Sequence, residues 1–270
     1  MTETHNEHPL IETLERLHAV VPYLHVEFGQ PDDASWFSLA DCLTPETGIF
    51  TRWMHHISGT RQTKDRPYLG MAMVDNTWLT VMTGLGVLYF AQRVPSLSAD
   101  NVWYRMNDNS YVDTITLRKP VFYALESDEF AQHPDCIGTV ATFDELRAIA
   151  RREIEQHVAP LIELANAQTK MGKRALWSSV ADRCATLIIT AQKMMGQAQQ
   201  ADAEVAYFLA TGSPLKGKTG VMWVEKGEQC EPFLLRGGCC LSYKLDYGYC
   251  RTCPLLSLPE RHEKLREVMG

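Results

Sequence analysis

The residues in this chain best suited to chemistry lie near its end. Cys239 and Cys240 are adjacent, and Cys250 and Cys253 follow, so four of the eight cysteines fall within fifteen residues as CC-x9-C-x2-C. Four thiolates are what a [2Fe-2S] centre requires, two per iron, and such a centre does one-electron chemistry. Two other readings compete. A structural zinc ion also takes four thiolates, usually from two spaced knuckles, but here only Cys250 and Cys253 form one. Disulfides are the third reading. The polar, acidic start Met1–Glu7 has no apolar leader, so the expected compartment is the cytoplasm, where thiols stay reduced.

The neighbours of the cysteines suit an anionic centre. Arg236, Lys244 and Arg251 flank them. A positive charge nearby favours the reduced, more negative state and raises the potential. Gly237 and Gly238 carry no Cβ, so their N–H groups are free to approach the sulfurs. The plainer alternatives are a Gly-Gly turn and solvated cations.

Arg236-Gly237-Gly238-Cys239-Cys240-Leu241-Ser242-Tyr243 followed by Cys250-Arg251-Thr252-Cys253-Pro254 resembles the C-terminal signature of the FhuF-type ferric siderophore reductases. The resemblance extends more diffusely upstream, through Leu176-Trp177-Ser178, Gly172, Pro160-Leu161 with Leu164, and Arg66-Pro67-Tyr68-Leu69, and covers about Arg61 to Leu256. The spacer Leu241 to Tyr249 is one residue shorter than the family's. The resemblance implies a [2Fe-2S] cluster on Cys239, Cys240, Cys250 and Cys253. It also implies one-electron transfer to Fe(III) held by a siderophore, a hydroxamate by expectation, and release of Fe(II). The rival class is a non-catalytic metal protein, either an iron–sulfur sensor or a structural zinc protein.

Electrons must come from elsewhere. Thr83-Gly84-Leu85-Gly86 lacks the phosphate-loop lysine and the dinucleotide fingerprint, and no flavin or nicotinamide signature is present. An external donor such as a ferredoxin or flavodoxin is expected. Net charge is −7, split as −9 over residues 1–214 and +2 from Leu215 onward. This argues against nucleic-acid binding, and a mildly basic end suits an acidic donor. No stretch is apolar for long enough to span a membrane; Trp78 to Ala91 reads as a buried helix.

Elements that would position the cysteines can be read from periodicity. Leu10, Leu14, Leu17 and Val21 predict a first helix. Further helices are expected over Asp75–Gln92, from a Thr142/Glu145 capping box to Gln168, over Gly172–Gly196, and over Gln199–Ala210. Asn101–Asn107 and Tyr111–Leu125 read as strands around a turn at Asn107–Ser110, with Pro120 forcing an edge or bulge. Val221–Val224 and Pro232–Leu235 predict a hairpin. The cysteine stretch is expected to form a second hairpin turning at Asp246-Tyr247-Gly248, and a short helix from Pro259 ends the chain. The fold class is α+β, predominantly helical with a small antiparallel sheet and a C-terminal cysteine-rich segment. The expected division is a body of residues 1–214 and a cluster-bearing segment of residues 215–270.

Weaker candidates stand beside these. Trp103, Tyr104 and Arg105 combine aromatic rings and a cation, as pockets for bulky ligands do, and also suit cross-strand packing. Arg52, Arg61, Lys64 and Arg66 have the charge to hold an anionic ligand, but are expected in a solvated loop. His55 and His56 point apart in any regular structure. Among the other cysteines, Cys184 is expected in the core, and Cys230 is a substitute ligand by proximity.

Overall fold

A computed structural model describes residues 8–269 apart from 32, 34 and 110. Met1–Glu7, on which the leader reading rests, and Ser110 of the expected turn lie outside the described residues. In chain order the helices are α1 (Pro9–Val20), α2 (Leu39–Leu43), α3 (Ile49–Thr60), α4 (Arg66–Asp75), α5 (Trp78–Ala91), α6 (Phe143–Thr169), α7 (Lys173–Met194), α8 (Ala201–Phe208) and α9 (Leu258–Arg266). The strands are β1 (Val26–Phe28), β2 (Trp36–Ser38), β3 (Arg93–Pro95), β4 (Val102–Met106), β5 (Val112–Leu117), β6 (Phe122–Leu125), β7 (Cys136–Val140), β8 (Gly220–Lys226) and β9 (Gln229–Leu235). The α+β class holds, but the strands divide among three sheets, two of which contain a parallel pair.

The chain forms two compact units: Met1–Phe50 with Leu79–Val158, and Thr51–Trp78 with Ala159–Gly270. Residues 215–270 therefore cluster with α4 and α7 rather than by themselves.

In the first unit, α1 buries Leu10, Leu14 and Leu17 at helical spacing. One sheet has the order β1-β5-β4-β2 and another β3-β6-β7. Pro120 falls between β5 and β6, which belong to different sheets. A residue with fixed φ and no N–H ends one ladder there. Thr142 and Glu145 form the expected capping box, with the Glu145 N–H donating to Thr142 Oγ1 at 3.3 Å and the Thr142 N–H to Glu145 Oε2 at 3.0 Å.

A buried polar chain ties this unit together. Tyr104 and His157 are fully enclosed. His157 Nδ1 donates to the Leu97 carbonyl at 2.6 Å, so its Nε2 is the acceptor for the Tyr104 hydroxyl, which also meets Thr80 Oγ1 at 3.0 Å. Burial pushes His157 down to about 4, so the ring is neutral. Thr83-Gly84-Leu85-Gly86 lies inside α5.

The second unit corrects one expectation. Arg52 and Arg66, expected in a solvated loop, lie in helices α3 and α4. Trp53 and Ile57 are four apart and both buried, while Arg52, His55 and His56 face outward. An apolar pair at this spacing is enough to bury one face of a helix whose other positions are polar. The hairpin β8–β9 turns at Gly227-Glu228, where Gly227 has φ +61°. Met222 and Val224 of β8 pack with Leu265 of α9 and Met269, flanked by Phe233 and Leu235. The helix α9 starts on a Ser257/Glu260 capping box.

Candidate metal centre

Helix α7 supplies the foundation. Ser178, Ser179, Asp182 and Arg183 repeat at three- and four-residue spacing and so share one face. Asp182 is 1% exposed. Its carboxylate accepts from four donors: Thr219 Oγ1 at 2.6 Å, the Gly237 N–H at 2.8 Å, the Gly238 N–H at 3.4 Å and Arg236 Nε at 3.1 Å. Burial pushes the Asp182 carboxyl up despite these donors.

This network accounts for the Gly-Gly step. A Cβ on Gly237 would lie 2.3 Å from Thr219 Oγ1, and one on Gly238 would lie 2.8 Å from Ser178 Cβ. Backbone can press this close to Thr219 and to α7 only where both side chains are missing. The expectation that these two N–H groups approach the sulfurs is corrected: they donate to Asp182.

Beyond the glycines the chain leaves strand geometry. Cys239 and Cys240 precede Leu241 at φ +62°, a short 3-10 turn over Ser242–Leu245, and Asp246 at φ +60°. The expected second hairpin is thus an irregular loop. Left-handed residues and a 3-10 turn fold it tightly, without a ladder. Lys244 Nζ donates to Asp65 Oδ2 at 2.6 Å, and the same carboxylate caps α4 by accepting from the Tyr68 N–H at 2.8 Å. The Cys250 carbonyl accepts from the Cys253 N–H at 3.0 Å, closing the knuckle.

All four cysteines line one cavity of about 130 Å³, together with Ser242, Tyr243, Tyr247, Gly248 and Tyr249. Arg236 reaches in from Asp182. Its Nη1 donates to Cys250 Sγ at 3.3 Å and Cys240 Sγ at 3.7 Å. Burial opposes the guanidinium charge, but Cys240, Asp182 and Cys250 outweigh it and hold Arg236 charged. Cys240 and Cys250 hydrogen-bond each other, which lowers the Cys240 thiol and raises its partner. Burial raises Cys239, which accepts only a backbone N–H, from Leu241 at 3.4 Å. A second, partly exposed pair lies on the same helix: Arg183 donates to Asp75 at 2.9 and 2.6 Å, and Ser179 to the same carboxylate at 3.2 Å.

The other sequence candidates fall as follows. Arg251 is exposed and makes no hydrogen bond or ion pair among the described residues. Cys184 and Cys42 are buried, Cys136 is partly buried on β7, and Cys230 is exposed on β9 outside the cavity. Trp103, Tyr104 and Arg105 lie on β4, in the first unit. Tyr104 is sealed in the core, and Arg105 stacks over Trp36 at 5.1 Å beside Glu27 and Asp113. Arg105 borders a separate cavity of about 450 Å³ with His18, His25 and Glu27.

Asp182, Asp75, Arg183 and the three tyrosines escaped the sequence reading. One signal was available for Asp182 and Arg183: two charges interrupting the otherwise apolar run from Val180 to Ala185. Also unforeseen is a cluster of His8, His133 and Asp135, whose ligand atoms lie within 4.8 Å of one another. His8 Nδ1 caps α1 by accepting from the Leu10 N–H at 3.1 Å, so Nε2 carries the proton donated to Asp135. That tautomer makes the cluster a latch on the helix start.

The donor set discriminates between metals. Four thiolates on one zinc would hold every sulfur pair about 3.8 Å apart. Among the described residues, no three of these cysteines gather their sulfurs within 4.8 Å. Four sulfurs that do not close on one point suit a core of two irons and two sulfides.

Over residues 77–222 the chain matches the family described as ferric iron reductase FhuF-like transporter. The chain belongs to this FhuF-like family. The matched segment is just over half the length and includes α5, β4, β5, α7 and Asp182, and it ends before the four cysteines. No curated protein matches the chain. Among the described residues, no helix of this FhuF-like protein is long and apolar enough to cross a membrane.

Proposed function

We propose that the protein is a cytoplasmic ferric siderophore reductase. A [2Fe-2S] cluster held by Cys239, Cys240, Cys250 and Cys253 would supply one-electron transfer to chelated Fe(III). One observation carries this reading: four cysteines of one short loop line a single cavity, and Arg236, its side chain 13% exposed, donates to two of them. The family membership supports it.

Each part of the site has a task under this reading. Asp182 holds Arg236 and the Gly237-Gly238 backbone against α7, so the loop is anchored before it reaches the first cysteine. Arg236 brings a fixed positive charge to the sulfurs and favours the more negative, reduced state. Tyr243, Tyr247 and Tyr249 border the cysteines and are 36%, 63% and 50% exposed. Arg61 donates to the Tyr247 hydroxyl at 3.3 Å and orients the ring. These rings offer a ferric chelate an apolar resting face beside the cluster. The substrate class is a hydroxamate siderophore, which binds Fe(II) far more weakly than Fe(III) and so releases the reduced metal. A ferredoxin or flavodoxin is the donor class.

The test has two stages. Anaerobically purified protein should show iron–sulfur absorption and an EPR signal after dithionite. The reduced protein, mixed with ferric hydroxamates and a ferrous trap in stopped flow, should then reoxidise faster than a variant lacking the four cysteines. A colourless zinc protein would overturn the cluster, and a cluster no chelate reoxidises would leave the non-catalytic reading.

A further inference from the structure

The four cysteines do not share one environment. Arg236 Nη1 donates to Cys250 Sγ at 3.3 Å and to Cys240 Sγ at 3.7 Å, and to neither other cysteine. These two free cysteines also share a side-chain hydrogen bond. Cys239 receives only the Leu241 N–H at 3.4 Å. Cys253 is 3% exposed. The loop thus presents two sulfurs, those of Cys240 and Cys250, under a guanidinium, and two, those of Cys239 and Cys253, to which it does not donate.

The guanidinium cannot easily move to the other pair. Its Nε is held by Asp182 Oδ2 at 3.1 Å, and Asp182 is itself fixed by Thr219 and two backbone N–H groups. A hydrogen bond to a sulfur strengthens as that sulfur gains negative charge. A fixed donor over one pair therefore favours placing added charge there, and hydrogen bonds to sulfur are a recognised control of cluster potential.

We propose that Asp182 and Arg236 make the two ligand pairs inequivalent, so that Cys240 and Cys250 hold the iron that takes the electron and Cys239 and Cys253 hold the iron that stays ferric. This rests on the cluster reading above. The balance is simple. A low-potential one-electron reductant gives up one electron, the iron bound by Cys240 and Cys250 goes from ferric to ferrous, and no bond or proton moves. Arg236 is a positioning and tuning residue that acts through the sulfurs.

The experiment is paramagnetic proton NMR on the dithionite-reduced holoprotein, with Arg236→Gln and Arg236→Lys beside it. Cysteine β-protons on the ferrous and ferric sites differ in hyperfine shift and in its temperature dependence. The ferrous-type set should show Overhauser contacts to the Arg236 side chain and should move most in Arg236→Gln. That variant should also be harder to reduce by about tenfold, or about 59 mV. Arg236→Lys should recover part of the potential. If the ferrous-type protons belong to Cys239 and Cys253, or all four cysteines are equivalent, the inference fails while the cluster stands. If the protein shows no iron–sulfur absorption, the reading beneath it has failed instead. Should Arg236→Gln not fold, the assignment in the parent protein decides alone.

Discussion

Replacing Asp182 by Ala removes one carboxylate and strands four donors. Thr219 Oγ1, the Gly237 and Gly238 N–H groups and Arg236 Nε all point at its two oxygens, and the side chain is 2% exposed, so water cannot readily replace them. Breaking a buried ion pair by deleting one partner costs about 3–5 kcal/mol. The lower end applies here, because burial already makes the ionised carboxylate expensive, as its raised pKa shows. Arg236 also keeps the Cys240 and Cys250 sulfurs. A loss of about 3 kcal/mol corresponds to a fall of about 6–12 °C in Tm for a unit of this size. Asp182→Asn keeps the shape but turns an amide N–H toward one donor, and should cost about 1–2 kcal/mol. Urea unfolding followed by circular dichroism gives the stability order. Labelling of the metal-free protein with a thiol reagent gives the local consequence: Cys239 and Cys240 should react several-fold faster in Asp182→Ala, because the backbone just before them loses its anchor. Both variants within about 1 kcal/mol of the parent, with no faster labelling, would refute the claim that Asp182 organises the loop.

Three further outcomes are expected. Single Ser replacements of Cys239, Cys240, Cys250 or Cys253 should abolish or strongly alter the cluster absorption, whereas Cys42→Ser, Cys136→Ser, Cys184→Ser and Cys230→Ser should leave it intact; retained absorption and unchanged EPR in Cys250→Ser would contradict the ligand set. Tyr247→Ala should slow reoxidation by a ferric hydroxamate several-fold while leaving the EPR signal and midpoint unchanged, and equal rates would remove that tyrosine from the docking face. His157 carries a folded pKa of about 4 against about 6.5 unfolded, so the unfolded chain binds the extra proton, and stability is lost as pH falls from about 6.5 toward 4. Urea unfolding should show about 2 kcal/mol less stability at pH 5 than at pH 7, and His157→Gln should flatten that slope even though it lowers stability overall.

The local grammar of this chain was legible from its residues. Thr142 and Glu145 sit three apart and cap α6 as such pairs do. The spacing of Leu10, Leu14 and Leu17 marked α1, and β8 and β9 were visible on either side of their glycine turn. Helix α3 was missed because its buried positions are few and its polar residues many, and periodicity is weak evidence where one face is thin. The β6–β7 parallel pair was not foreseeable from local alternation, since the partner of a parallel strand is set by a distant segment.

The residues alone place the candidate donors together: four cysteines within fifteen residues, two adjacent glycines before them, and an arginine before those. Covalent proximity alone forces such groups into one neighbourhood. Folding in three dimensions sets which groups the cysteines answer to. Asp182 lies 54 residues before Arg236, and Asp65 lies 179 before Lys244. No local pattern links those pairs. They meet because α7, α4 and the β8–β9 hairpin belong to one compact unit, which turns the Gly237-Gly238 amides to Asp182 and leaves one guanidinium to face two of the four sulfurs. Arg236, Lys244 and Arg251 look alike in sequence. Packing separated them into a mostly covered donor, a surface clamp and a solvated charge, because burial and partner geometry, rather than residue type, set how strongly a charge is felt.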